Sequence, residues 1–400
     1  MTTFLVMGLG LQGTAAAHDL IVNGLGKRPD GRILLLDNDS SRLEVARERL
    51  VQLTGCTALE TIVADAPVDP KDGATGPVRE ALGAADAAMN CLPYRFSEAL
   101  TTMALDAGCH IADLGGNTAI VRRQLALAAE HWAGKDTAVL PDCGLMPGMG
   151  NLFVAHAVRT LGSCEEVRVR CGGLPVEPSG PLDYALLFNV YGLINEYFGR
   201  AQVLRGGALD EVETFTELEP VGIDFPGYGL PARECEAFIT SGGLSTTPWT
   251  FAGEVGELDY KTVRYRGHFE KFKLLVELGL LGEEELGLLR GGAAVPRDVL
   301  ATLLERVLAQ DEVEDLAFLR CSARRGDQRL VLEMFDRRSA ETGFTAMERT
   351  TAYSATACLL GVLEGRTEIG RGPIEVAVDT DWYLEELGKR GISVKVDRTG

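Results

Sequence analysis

A doubly wound parallel α/β sheet followed by a second, more β-rich region is the architecture this sequence predicts. Three observations lead there. Phe4-Leu5-Val6-Met7 is an apolar run of strand length that passes straight into Gly8-Leu9-Gly10-Leu11-Gln12-Gly13. From there to Leu140, short apolar runs alternate with amphipathic ones, as strands alternate with crossover helices. From Glu166 onward the pattern turns to β-rich stretches. At 400 residues the chain has room for two domains of about 150 residues or more, and it can bury cores without disulfides or metals.

Taken in order, Thr14 to Val22 reads as a helix ended by Asn23-Gly24. Ile33–Leu36 is a second buried strand that ends in Asp37. Leu43–Leu53 is a charged amphipathic helix, and Leu59–Val63 a short strand ending in Ala64-Asp65. Val78–Leu82 fits a short helix. Ala85–Leu92 is a strand of small apolar residues closing on Asn90-Cys91-Leu92-Pro93. Helix Phe96–Ala107 stops at Gly108, strand His110–Leu114 runs into Gly115-Gly116-Asn117, and helix Thr118–Trp132 precedes strand Thr137–Leu140. Beyond them, Val167–Cys171, Ala237–Ser241, Thr247–Phe251 and Tyr260–Tyr265 read as β-rich, and Glu270–Leu280 and Pro296–Ala309 as helices. Phe225-Pro226-Gly227-Tyr228-Gly229 reads as a loop.

A lone G-x-G-x-x-G spacing is weak, but here a strand precedes it, a helix follows, and Asp37 ends the next strand 24 residues after Gly13, against about 20 in dinucleotide-binding units. Each glycine has its own reason. Gly8 makes the tight turn, Gly10 lets a pyrophosphate approach the backbone, and Gly13 lets helix and strand pack closely. The free N–H groups at the helix start, around Leu11 and Gln12, then face the phosphates. This predicts a Rossmann-type fold, with ligands at the carboxyl ends of the strands. The expected cofactor contacts are Gly8, Gly10, Leu11, Gln12, Gly13, Asp37, Asn38, Asp65 beside the adenine, Asn90, Cys91, Leu92, Pro93, Gly115 and Asn117. Asp37 can accept hydrogen bonds from a ribose 2′-OH and repels a 2′-phosphate, which favours NAD over NADP. Arg42, five residues on, is the feature that could accommodate the phosphate instead.

Composition narrows the function classes. With 39 basic and 58 acidic residues the net charge is −19, which argues against nucleic acid and against an anionic membrane surface. The nine cysteines include no C-x-x-C pair and no Cys/His cluster of zinc spacing, so no metal site is expected and the thiols read as reduced. No apolar stretch is long enough to span a membrane, and Met1-Thr2-Thr3-Phe4 does not begin a signal peptide. A cytoplasmic protein is the expectation.

Asp113 and Asp142 both end predicted strands beside glycines, where either could balance a substrate cation or act as a base. Asp before glycine is also ordinary turn chemistry, with the side chain bonding its own backbone. Arg264 suits a substrate carboxylate through a bidentate fork, His268 could exchange a proton near neutral pH, and Glu270 could hold an ammonium. Arg264 and Glu270 read equally well as a solvated strand end and first helical turn. Tyr184 and Asn189 lie in the uncharged stretch 184–195, and either could reach a cleft. Cys143 reads as a small residue lining the cleft, not as a nucleophile.

The blocks Ala112-Asp113-Leu114-Gly115-Gly116-Asn117-Thr118 and Pro141-Asp142-Cys143-Gly144-Leu145-Met146-Pro147-Gly148-Met149 resemble the saccharopine dehydrogenase family. So do Thr262-Val263-Arg264-Tyr265-Arg266-Gly267-His268 and Met347-Glu348-Arg349-Thr350-Thr351. Within the family the sequence most resembles the L-lysine 6-dehydrogenase branch. The resemblance implies a Rossmann domain over 1–125 with a return of about 347–370, and a substrate-binding and oligomerisation α/β domain with a mixed sheet over 126–346. A C-terminal segment fills 371–400. It also implies NAD-dependent oxidation of the ε-amine of L-lysine to the 6-semialdehyde, which cyclises to the piperideine carboxylate. The substrate would then be a small cationic amino acid and the protein a homodimer or larger homo-oligomer, with the apolar stretch 186–194 compatible with a subunit contact. Two other functions fit the residues: NAD(P)H-dependent reductive coupling of an amine and a carbonyl, of saccharopine or carboxynorspermidine type, and a non-catalytic NAD(H)-binding sensor.

Overall fold

The structure, a computed structural model, describes residues 2–71, 76–131, 136–225, 230–288, 290–310, 312–370 and 372–400. Its first half alternates β1 (Thr3–Met7), α1 (Leu11–Asp19), β2 (Arg32–Asp37), α2 (Ser40–Thr54), β3 (Leu59–Val63) and α3 (Gly76–Ala84). β4 (Ala87–Asn90), α4 (Ser97–Ala107), β5 (His110–Asp113), α5 (Thr118–His131) and β6 (Val139–Leu140) complete it. The six strands form one parallel sheet in the order β3-β2-β1-β4-β5-β6. Strand alternation explains the two covering layers. Phe4, Val6, Ile33 and Leu35 point to the face packed by α1 and α2, while Leu5, Met7, Leu34 and Leu36 point to the face packed by α3 and α4. A parallel sheet buried on both faces needs this continuous apolar reading.

α6 (Met149–Leu161) leads into the second domain. There follow β7 (Cys164–Pro175), α7 (Val190–Glu196), β8 (Arg200–Arg205), β9 (Ala208–Glu213), β10 (Glu219–Phe225), β11 (Leu230–Ile239), α8 (Thr247–Thr250) and β12 (Val255–Tyr265). α9 (His268–Glu277), β13 (Leu286–Gly287), β14 (Ala293–Ala294), α10 (Pro296–Leu308), β15 (Asp315–Arg325) and β16 (Gln328–Arg337) come next, then α11 (Ala346–Leu363), α12 (Ile374–Ala377), α13 (Thr380–Lys389) and β17 (Val394–Thr399). A nine-stranded mixed sheet runs β10-β11-β12-β7-β15-β16-β17, with the β8–β9 hairpin joined to β12. The β12–β7 pair is parallel and its other ladders are antiparallel. The return helix α11 starts at a capping box, Thr345 with Glu348, and packs its buried length against the first domain, where Tyr353 bonds His18 and Thr356 bonds Asp19 of α1.

Several expectations are corrected. β6 belongs to the first sheet, so the first domain reaches Leu140 and not 125. The C-terminal segment is no separate unit: β17 is the edge strand of the second sheet, and Arg390, the C-cap of α13, pairs with Asp19 at 3.1 Å. Thr247–Phe251 is helical, because Pro248 sits at the N-terminal positions of α8 and cannot donate to a ladder. Asn23-Gly24 does not stop the first helix, which continues from α1 as a wider turn over Leu20–Gly24 and a tight turn over Leu25–Lys27. Asn23 donates to the Asp19 carboxylate four residues back, and Gly24 is needed because a Cβ there would press on Phe4. Within the stretch 186–194, Leu187, Val190, Leu193 and Ile194 are buried inside the domain, while Asn189 and Tyr191 are exposed. Tyr228 and the end of helix 118–132 lie outside the described residues. No helix among the described residues is long and apolar enough to cross a membrane.

Candidate active site

The glycine loop between β1 and α1 has the three properties its spacing implies. Gly8 takes φ 88°, and a Cβ on Gly13 would collide with the Gly8 carbonyl. A Cβ on Gly10 would meet nothing within 4 Å, so the loop is open where a pyrophosphate would pass. Gly10 is also the N-cap of α1, whose first amides stand free of side-chain caps. These residues fit a dinucleotide.

Asp37 is buried at the end of β2. Its Oδ2 accepts from the Leu9 amide at 2.7 Å, and its Oδ1 accepts from the Asp39 amide at 3.0 Å and from Arg42 at 2.8 Å. Asp37 thus shapes the glycine loop, and Arg42 is held between Asp37 and Asp39. Asn38 donates to Asp65 at 2.9 Å, tying the ends of β2 and β3 at the exposed rim. Asn90 is buried and accepts from the Leu92 amide, which sets the turn carrying Cys91 and Pro93. Asn117 accepts from the Ala119 and Ile120 amides and caps α5.

Asp113 and Asp142 divide the roles that the sequence left open. Asp113 is the turn former: Oδ1 accepts from the Gly115 amide at 2.8 Å and the Asp142 amide at 3.1 Å, and Oδ2 from Gln124 at 2.6 Å. Burial raises its proton affinity and those donors lower it, but no oxygen is free for a substrate. Asp142 is 3% exposed, and its side chain leaves its own turn to accept from Ser245 of the second domain. Burial, with the Asp113 and Glu375 carboxylates nearby, pushes its carboxyl up to about 8, against the Ser245 hydroxyl and the Gly116 amide. Oδ1 has no hydrogen-bond partner of normal geometry. A buried carboxyl that titrates near neutrality at the carboxyl end of the sheet is suited to taking up a proton.

The facing sheet carries the cation. Arg264, 2% exposed, gives Nε to the Tyr197 hydroxyl at 2.8 Å, Nη1 to the Val263 carbonyl at 3.0 Å and Nη2 to Glu196 at 3.3 Å. Its guanidinium lies 4.7 Å over the Tyr184 ring, and the buried Tyr184 hydroxyl has no partner. Each terminal nitrogen keeps one N–H for a carboxylate. Burial pushes Glu196 up to about 7, with Arg264 pulling it down. Tyr260 bonds Thr262 at 3.0 Å and Thr262 bonds Thr240 at 2.7 Å, extending this polar face beside Gly243.

Four expected roles are corrected. His268 is fully buried. Its Nδ1–H donates to the Leu182 carbonyl at 2.9 Å and its Nε2 accepts from the Tyr197 hydroxyl at 3.1 Å. Burial and the neighbouring Arg264 push it down to about 3, so it stays neutral and orients Tyr197, without exchanging protons. Glu270 is exposed on the first turn of α9, a solvated position favoured by the helix dipole. Asn189 is the exposed N-cap of α7. Cys143 is fully buried, its thiol donating to the Leu140 carbonyl at 3.3 Å, and burial beside Cys358 pushes it well above the usual thiol range. It packs the floor of the site and lines no open cleft. Sequence reading missed Ser245, Glu375, Gln124, Glu196 and Tyr197. Only Glu196-Tyr197, next to the uncharged stretch, left a signal.

A family model described as the saccharopine dehydrogenase C-terminal domain matches residues 144–392, more than half of the chain. The chain belongs to the saccharopine dehydrogenase family. A curated member, the saccharopine dehydrogenase [NADP(+), L-glutamate-forming] of Pyricularia oryzae, is 25% identical over 214 residues, covering 50% of this chain and 44% of that protein. The chain therefore matches about half the length of this relative. The apo saccharopine dehydrogenase (L-Glu forming) of Saccharomyces cerevisiae superposes over 100% of both chains with a TM-score of 0.73 at 16% identity, a likeness of fold. In the family's terms, the matched segment begins at Gly144, directly after Asp142-Cys143, and holds Ser245, Arg264 and the return helix α11.

Proposed function

We propose that this chain is a nicotinamide-dependent oxidoreductase that acts on the C–N bond of an amino acid. In its most specific form it oxidises the ε-amine of L-lysine with NAD. The observation that carries the reading is Asp142: a buried carboxyl raised to about 8, at the carboxyl end of the first sheet, bonded to Ser245 of the second domain, whose sheet carries an arginine with N–H groups to spare. The bound nicotinamide would accept the hydride. The chain's residues do the rest. Arg264 holds the substrate α-carboxylate, and Glu196, in place of Glu270, holds the α-ammonium. Asp142 takes the proton that the ε-ammonium must lose, then faces the positive charge that develops at the imine carbon. Water adds to that carbon, the amine leaves, and the semialdehyde cyclises.

NAD is favoured because Arg42 is already held by two carboxylates and Asp37 repels a 2′-phosphate. Reductive coupling of an amine and a carbonyl is the second reading, favoured by the names of the relatives, one of which is NADP-linked. A non-catalytic sensor is disfavoured, because it has no use for a carboxyl tuned to the neutral range. An apolar stripe on α10, with Val299, Leu303 and Val307 all more than two-fifths exposed, supports a homo-oligomer, which sedimentation would read.

The test is reduced-cofactor formation by the purified protein, screened over amino acids and polyamines with NAD and NADP side by side. Turnover with L-lysine and NAD supports the specific reading. Oxidation of NAD(P)H only when an amine is paired with a carbonyl compound supports the coupling reading. Tight cofactor binding without turnover in any mixture leaves the sensor.

A further inference from the structure

Asp142 and Ser245 share two unusual features. Both are buried, and both are non-glycine residues in the left-handed region, at φ 61° and 41°. They come from different domains, one after β6 and the other just before α8. Two such residues are held in unfavourable conformations, and their side chains meet in a hydrogen bond. The surroundings are arranged around this contact. A Cβ on Gly115 would collide with Asp142 Oδ1, so glycine leaves that oxygen its room. Next in the chain, Thr246 bonds Glu375 at 2.7 Å, which anchors the Ser245 backbone to α12, and Thr250 bonds the same carboxylate at 2.8 Å. The ionisable groups facing Asp142 are Asp113 at the end of β5, Glu375 of α12 and the Cys143 thiol.

We propose that Ser245 is a positioning residue for Asp142: its hydroxyl, brought in by the second domain, holds Oδ2 and leaves Oδ1 as the oxygen that takes and returns the substrate proton. The inference rests on Asp142 being the proton acceptor of the proposed reaction. The physics is one-sided. Ser245 donates, so it favours the ionised form of Asp142, while the facing carboxylates disfavour it. The second domain thus sets both the orientation of the base and its readiness to ionise. A chain whose domains do not meet at Ser245 has a base that ionises only at a still higher pH.

Ser245→Gly tests this, because glycine accepts the left-handed backbone while the hydroxyl is lost. Ser245→Ala, which keeps a Cβ, covers the case in which the glycine variant does not fold. The first readout is an infrared titration of the protein without substrate. It follows the carbonyl stretch of protonated Asp142, identified by its loss in Asp142→Asn. The expected result is a midpoint about one pH unit higher in both Ser245 variants, with the pH profile of kcat moving by the same amount. An unchanged midpoint in a folded variant overturns the proposal, whatever the activity. A shifted midpoint in a protein that turns over no amine upholds the Ser245–Asp142 coupling and removes the proposed reaction instead.

Discussion

Asp142 and Asp259 are both almost fully buried aspartates, and the molecule treats them in opposite ways. Asp259, 1% exposed on β12, meets Arg168 at 2.6 Å, Arg170 at 2.6 Å and Arg205 at 3.7 Å. Glu219 then links Arg170 and Lys261 into the same network. Asp142, 3% exposed, meets one hydroxyl and two more carboxyls. Strand alternation separates two such environments on β12 itself. Asp259 and Lys261 point to one face, while Tyr260, Thr262 and Arg264 point to the other. A paired buried charge is a structural element, whereas a poorly compensated one is held at a cost that only function explains.

That contrast can be broken in several ways. The largest effect is expected from Asp142→Asn, which should lower kcat by about 10²–10⁴-fold and leave dinucleotide binding intact. Steady-state kinetics beside cofactor fluorescence titration would read both. Asp259→Asn should do the reverse. It leaves buried Arg170 with Glu219 alone and should cost about 3 kcal/mol in urea unfolding, the low end for a broken buried pair because Glu219 remains and Arg168 is 37% exposed, with kcat unchanged.

The pH dependence of stability sharpens the same comparison. Asp142 titrates near 8 in the folded chain and near 3.9 unfolded, so between these values the folded state binds more protons. Wild type should lose stability relative to Asp142→Asn as the pH rises from about 4 to 8, by up to about 1.4 kcal/mol per unit, and no further above it. Parallel thermal melts at several pH values would show whether the two curves converge at low pH. A smaller effect is expected at the cofactor rim. Asp37→Ala leaves Arg42 with Asp39 alone and removes the charge that repels a 2′-phosphate, and it should move the NAD/NADP preference towards NADP by about tenfold, read as the ratio of the two dissociation constants.

Much of the fold was legible in the residues because it is written in local chemistry. Strands β1 to β5 lie where apolar runs meet glycine or acid, and Gly8, Gly10 and Gly13 have the separate roles their spacing implies. The errors were equally physical. Thr247–Phe251 has β-forming residues, but Pro248 turns them into a helix. His268 resembles a proton carrier until both ring nitrogens are seen to be engaged in a fully buried chain from Arg264 through Tyr197 to Leu182.

The sequence by itself determined the parallel sheet, the dinucleotide loop and the short set of polar residues near the strand ends, because glycine conformation and side-chain alternation are properties of neighbours along the chain. Only the tertiary structure separated Asp113 from Asp142. Both lie two residues before a glycine at strand ends, and both are buried. The difference is that Gln124 and two amides fill the oxygens of one, while the other is met across the domain boundary by Ser245, more than a hundred residues away. Proton affinity depends on what surrounds a carboxyl in space, and no local spacing records that.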